Sequence, residues 1–278
     1  MILIGTSGFS FADWKNTIYP ANLPAGRMLA YYALNLGFSA VEINSTYYRL
    51  PTSESMRLME RKTPAGFEFV VKAFKGMTHD PFDSRMETPD EKTISEYFLR
   101  FSEAIAPLVE AGKLGAVLLQ FPVFFYPSLK SKEYLLYAKD ALGNIPVVIE
   151  FRNHSWARNE TFEFLQSNGL AYCAVDEPKL PRLMPFAPEV TSRIAYVRFH
   201  GRNPNWFNSP LSERYNYFYS DEELAEFVPL IRRMDALAGK TYVFFNNCHA
   251  GYAAKNARKF ALMLDINTKN TDEDLFNY

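Results

Sequence analysis

Eight short apolar runs recur along the chain, each closed by one or two polar residues: Ile2–Gly5, Ala40–Asn44, Phe67–Lys72, Gly115–Gln120, Pro146–Arg152, Ala171–Asp176, Ile194–His200 and Thr241–Asn247. Most are continuous stretches of Val, Ile, Leu and Phe without alternation, the pattern of parallel strands covered on both faces. The segments between them carry helical signals. Thr88-Pro-Asp-Glu91 reads as a capping box with Pro at the first helical position, and Ser220-Asp-Glu-Glu223 as a second one. They predict helices running to about Val109 and to near Gly239. Weaker patterns place helices over Gly26–Asn35, Ser53–Lys62, Leu129–Leu142, Asn159–Ser167 and Gly251–Leu264, with Gly37 and Asn168-Gly169 where C-caps belong. Four prolines between Pro178 and Pro188 predict an irregular loop in place of a sixth helix.

Strand–helix alternation repeated eight times, with no linker or compositional break, predicts one α/β domain, a single (β/α)₈ barrel over residues 1–266. The polar tail from Asn267 to Tyr278 is expected to fray. An open doubly wound sheet is the competing architecture. It calls for a phosphate-binding glycine fingerprint after the first strand, which Gly5-Thr-Ser-Gly8 matches in neither spacing nor sequel.

Charge changes the picture only by exclusion. A net charge of -1 over 278 residues gives no global attraction to nucleic acid or anionic membranes. Two cysteines, Cys173 and Cys248, make no disulfide framework, and the first residues lack the basic and apolar regions of a secretory signal. No apolar run approaches membrane-span length. A cytoplasmic location is expected, without membrane partners; the pattern leaves the oligomeric state open.

In a barrel of this kind the active site is built at the C-terminal ends of the strands. The polar residues closing each run are therefore the candidates: Glu42 and Asn44, Lys72, Gln120, Glu150 and Arg152, Asp176, Arg198, His200 and Arg202, and Asn246 and Asn247. The two-residue period of a strand puts Glu42 with Asn44, and Glu150 with Arg152, on one face. One charged residue at a strand end is ordinarily the start of a solvated loop, and Glu150 paired with Arg152 or Arg198 would serve as a structural ion pair. Seven of eight strands ending this way, in phase with apolar neighbours, favours a ligand site. Glu150, Asp176, His200 and Lys72 are the candidate catalytic groups, and the rest would orient the ligand. Trp14, Trp156 and Trp206 all follow strands in loops and would offer flat faces at the rim; packing beneath those loops is the competing reading.

Glu42, Glu150, Asp176 and His200 are also metal-ligand types. However, four histidines without HxH or HExxH spacing, beside Lys72, Arg152 and Arg198, favour an anion over a divalent cation. No cofactor is expected. No GxSxG supports a nucleophilic serine, and both cysteines lie in or beside apolar strands. Phosphate in such barrels often docks on the loops after strands seven and eight, which here carry His200-Gly201-Arg202 and Asn246-Asn247 followed by Gly251.

Six stretches carry a resemblance to a known family: Gly5-Thr-Ser-Gly-Phe9 with Trp14, Val41-Glu-Ile-Asn-Ser-Thr-Tyr-Tyr48 with Pro51, Leu118-Leu-Gln-Phe-Pro122, Glu150-Phe-Arg-Asn-His-Ser-Trp156, Tyr196-Val-Arg-Phe-His-Gly-Arg202 and Phe244-Phe-Asn-Asn247. In order and over almost the whole length, they make the chain similar to the YecE-like family, domain of unknown function family 72. The resemblance implies a barrel with this strand-end cluster but no assigned activity. It extends to sugar isomerases and endonuclease IV-type barrels, whose metal ligands are replaced here by asparagines on the eighth strand.

The residues thus point first to an enzyme acting on a polar, anionic, ring-containing small molecule, a sugar phosphate or nucleotide, by metal-independent acid–base chemistry. The alternatives are a nucleic-acid-binding or processing protein using Lys72, Lys75, Arg85, Arg202 and Arg214, and a non-catalytic ligand-binding barrel.

Overall fold

The computed structural model describes residues 1–207 and 209–266. Eight strands, β1 (Ile2–Thr6), β2 (Ala40–Ile43), β3 (Glu68–Lys72), β4 (Leu114–Gln120), β5 (Val147–Glu150), β6 (Ala171–Asp176), β7 (Ile194–Phe199) and β8 (Lys240–Phe245), pair in parallel in the order β1-β8-β7-β6-β5-β4-β3-β2. Each strand coincides with a predicted run, β1, β4 and β8 extending one residue beyond theirs at Thr6, Leu114 and Lys240. Several of the closing polar residues fall just past the last paired position.

Between β1 and β2 the barrel closes through a single bridge, Ser7 to Glu42. Below that bridge the Tyr32 hydroxyl fills the seam, accepting from the Thr6 N–H at 2.8 Å and donating to the Ala40 carbonyl at 3.1 Å. Gly5 lets the strands approach this closely, since a Cβ there would lie 2.1 Å from the Ala40 oxygen.

The outer layer consists of α1 (Met28–Leu34), α2 (Ser53–Arg61), α3 (Glu91–Glu110), α4 (Leu129–Leu142), α5 (Asn159–Ser167), the one-turn α6 (Leu211–Arg214), α7 (Asp221–Leu237) and α8 (Tyr252–Met263). Ser220 caps α7 in the predicted box with Glu223. The box predicted at Thr88 does not form. α3 starts later, at Glu91, because the Asp90 carboxylate accepts from the Thr93 N–H at 2.7 Å and caps the helix itself. No helix lies between β6 and β7, in keeping with the prolines of that segment. The expected frayed tail, 267–278, falls outside the described residues. Among those described, no helix is long and apolar enough to cross a membrane.

Candidate functional site

The strand ends of β2, β5 and β7 meet at the barrel axis in a buried ionic cluster. Arg198, 1% exposed, is its centre. Its Nη2 donates to Glu42 Oε1 and its Nη1 to Glu150 Oε2, each at 2.6 Å. The second oxygen of Glu42 accepts from the Tyr196 hydroxyl at 2.6 Å. Arg152 Nε lies 2.6 Å from Glu150 Oε1, an ionic contact without hydrogen-bond alignment, while its Nη1 donates to Glu177 at 2.8 Å. Burial would raise the Glu150 carboxyl, but Arg198 and Arg152 outweigh it and hold the group well below the carboxylate range. Burial pushes Glu177 the other way, up to about 7, against the pull of Arg152.

His200 closes one side of this cluster. Its Nε2 lies 3.4 Å from Glu150 Oε1 and its Nδ1 2.9 Å from Asn246 Nδ2. Burial and the two arginines hold the imidazole well below its ordinary value, so it is neutral. The Asn246 Nδ2 amide donates only, which makes Nδ1 the acceptor and puts the proton on Nε2, the nitrogen that faces Glu150 without a hydrogen bond.

Above the cluster opens a cavity of about 550 Å³. Its floor and walls are Arg152, Arg198, Lys72, Gln120, Asn44 and Asn246; Tyr47, Tyr48, Trp206, Phe207 and Tyr215 supply aromatic faces, and His79 and Arg214 complete the polar lining. Among the described residues no carboxylate lines it. Glu42 and Glu150 lie beneath the floor, each fully buried. Asn44 Oδ1 and Arg198 Nε, on two lining residues, are buried without a hydrogen-bond partner.

Lys72, the last residue of β3, donates from Nζ to Gln120 Oε1 at 2.6 Å and stands 4.5 Å from the Tyr47 ring centre. Burial, reinforced by Arg198, lowers its amine to about 7, although Glu150 pulls it up. Burial likewise lowers His79 to about 3. Arg214 donates to the Trp206 carbonyl at 2.9 Å and lies over the Trp206 ring. Among the described residues it meets no carboxylate.

Asp176, by contrast, faces α7 rather than the cavity. Arg202 grips it through Nε and Nη2 at 2.9 Å and also reaches Glu223 of α7, and the Tyr219 hydroxyl donates to it at 2.6 Å. Asp176 and Arg202 thus form a clamp behind the barrel wall. Asn247 is likewise engaged structurally, donating to Tyr217 and Asn256 at 2.9 Å. Within the expected phosphate seat on the loops after β7 and β8, one amide of the β8 loop is taken by the chain's own carboxylate: the Ala250 N–H donates to Asp13 at 2.7 Å. Two of the three tryptophans are not at the rim. Trp14 donates to the Cys248 carbonyl and Trp156 to the Phe125 carbonyl, both rings fully buried. Their loops fold over the indoles, the competing reading of tryptophan in a loop. Trp206 alone faces the cavity.

Lys75 and Arg85, considered above for nucleic acid, pair with Asp80 and Asp83. Among the described residues no three His, Cys, Asp or Glu side chains converge on a metal site. Sequence reasoning missed Glu177 and Tyr196. Both were within reach of it: Glu177 adjoins Asp176 at the same strand end, and Tyr196 shares the two-residue phase of Arg198 and His200. Tyr47, His79 and Tyr215 lie in irregular segments, where no periodicity marks them.

A family model described as "Protein of unknown function DUF72" matches residues 3–276. The UPF0759 protein YunF of Bacillus subtilis is 31% identical over 283 aligned residues, 96% of this chain and 95% of that protein. Crystal structures of two DUF72 family proteins superpose over nearly the full length. That of Thermotoga maritima has TM-score 0.87 and 43% identity, covering 95% of this chain and 99% of its own. That of Enterococcus faecalis has TM-score 0.84 and 28% identity, covering 99% and 100%.

Proposed function

The chain belongs to the DUF72 family of proteins of unknown function, and from that premise we propose that it is an enzyme acting on a small, anionic, ring-containing molecule, a sugar phosphate or nucleotide, at the C-terminal face of the barrel. One observation carries this reading: a cavity of about 550 Å³ lined by four basic side chains and five aromatic ones, with no carboxylate among its described lining residues and Glu42 and Glu150 fully buried. A cavity of that size suits a ligand of one or two rings. The aromatic faces stack on a ring, and the cations select an anion. Arg152 and Arg198 are already balanced by glutamates, so the uncompensated positive charge comes from Arg214 and the protonated fraction of Lys72. Asn44 Oδ1 and Arg198 Nε, buried without partners, offer an acceptor and a donor to the ligand.

Acid–base work falls to Lys72 in this arrangement. Glu150 is pinned as a carboxylate under the floor and Asp176 is turned away, so neither reaches a molecule in the cavity, whereas an amine near neutrality both takes and returns a proton. His200 and Asn246 hold the cluster in place.

The test is a thermal-shift panel of sugar phosphates and nucleotides on the wild type, Arg214→Gln and Lys72→Met. A ligand at a hundred times its Kd stabilises by about 2.7 kcal/mol, a shift of a few degrees. We expect a hit that weakens in Arg214→Gln. Silence over the whole panel, or a hit indifferent to both substitutions, overturns the reading.

A further inference from the structure

Lys72 has surroundings unlike those of a lysine that only binds an anion. Among the described residues no carboxylate lies within ion-pair distance of its Nζ, and its one hydrogen-bond partner is the neutral Gln120 amide oxygen. Arg198 and Arg152 crowd it from below, disfavouring a second positive charge. The amine ends a barrel strand and opens onto the cavity, and among the described residues no other lysine lines that space. Near neutral pH half of it is an unprotonated amine with a free electron pair, which ordinary surface lysines are not.

We propose that Lys72 is a nucleophile, and that the cavity's ligand is an aldehyde or ketone bearing an anionic group, with which Nζ condenses to an iminium. This rests on the reading of the cavity as an anion-and-ring site and names the functional group it takes.

In the step, the Nζ electron pair attacks the carbonyl carbon and the C=O π pair moves to oxygen. That oxygen takes a proton while nitrogen gives one up, leaving a neutral carbinolamine. A second proton, from solvent through the open mouth, converts the hydroxyl to leaving water as the nitrogen pair forms C=N. The sum is amine, carbonyl and one proton giving iminium and water. No oxidant or reductant is involved. The ligand's own anionic group, against Arg214, brings the charge that makes a cationic iminium tolerable beside two arginines, just as a lysine buried among cations is tuned for carbonyl addition.

The experiment uses two probes differing in one group. Pyridoxal 5′-phosphate carries ring, phosphate and aldehyde; pyridoxine 5′-phosphate replaces the aldehyde by an alcohol. Each is incubated with full-length protein at pH 7. The aldehyde sample is followed by imine absorbance, then reduced with borohydride and mapped by peptide mass spectrometry. Binding of the alcohol is measured by calorimetry.

We expect Lys72 to be modified on the order of ten-fold or more faster than any other lysine, with a rate that rises through a midpoint near 7. The adduct disappears in Lys72→Arg, while that variant still binds the alcohol, which shows it folded with the cavity intact. Binding of the alcohol without selective modification of Lys72 overturns the nucleophile and leaves the anion site standing. Modification of Lys72 without alcohol binding supports the nucleophile and counts against the anion site. Neither binding nor selective labelling overturns both.

Discussion

Replacing Arg198 by Met probes the cluster on which the cavity rests. Methionine fills much of the same volume and removes only the guanidinium. Two carboxylates then lose their shared partner: Glu42 keeps only the Tyr196 hydroxyl, and Glu150 keeps Arg152 on one oxygen. Removing one member of a buried ion pair costs about 3–5 kcal/mol, because the partner's charge stays buried. The two pairs share one side chain, so their costs do not simply double. At pH 7.5 we expect a loss in that range by urea denaturation followed by circular dichroism, or a fall in Tm of roughly 6–15 °C.

The pH dependence identifies the cause. In the wild type Glu150 is held well below its ordinary 4.5, so its contribution is present above that value and lost as pH falls through the lower folded value. Arg198→Met shrinks this depression, so the deficit is largest above pH 5 and narrows as pH falls below 4.5. Adding Glu42→Gln to Arg198→Met should restore part of the loss. A variant within about 1 kcal/mol of wild type at pH 7.5, or a deficit unchanged down to pH 3.5, refutes the reasoning.

Tyr32→Phe removes the hydroxyl that closes the β1–β2 seam and leaves the Thr6 N–H and Ala40 carbonyl unpaired, a loss of about 2–4 kcal/mol in denaturant unfolding. Unchanged exchange of the Thr6 amide would show that the seam is held otherwise. Lys72→Met should stabilise the protein. Between about 7 and the ordinary 10.5, the unfolded chain holds a proton that the native amine has shed, so wild-type stability rises with pH across that window. The methionine variant is therefore more stable at pH 6, by on the order of 1–3 kcal/mol after allowing for water in the open cavity, and the gain fades by pH 10. A variant less stable than wild type at pH 6 contradicts this.

The barrel was legible because parallel strands buried on both faces leave unbroken apolar runs, and because a strand's period of two keeps Glu42 in phase with Asn44 and Glu150 with Arg152. The ends of those runs located the polar centre. They could not say which charges cancel. The strand ends allow Glu150 to pair with Arg152 or Arg198, and it holds both; that Glu42 also holds Arg198 and Glu177 also holds Arg152 is visible only once the barrel closes. Asp176 stands beside Glu177 in sequence but turns towards α7, since adjacent strand residues point to opposite faces. Trp14 and Trp156 follow strands as Trp206 does. Which indole a loop buries depends on how the loop folds back, here onto the Cys248 and Phe125 carbonyls, and no periodicity encodes that. Nor does any periodicity show that Asp13, far away in sequence, takes the Ala250 amide in the loop after β8, next to the anion seat expected on the loops after β7 and β8.

The most direct test of the account is the titration of Lys72 itself, by carbon-detected NMR of protein labelled at lysine, with Lys72→Arg to assign the signal. A midpoint near 7 in the free protein, moving upward when pyridoxine 5′-phosphate is added, would be the signature of an amine kept half-neutral above the Arg198 cluster and facing an anion in the cavity. A midpoint in the ordinary lysine range near 10.5, unmoved by the ligand, would contradict it.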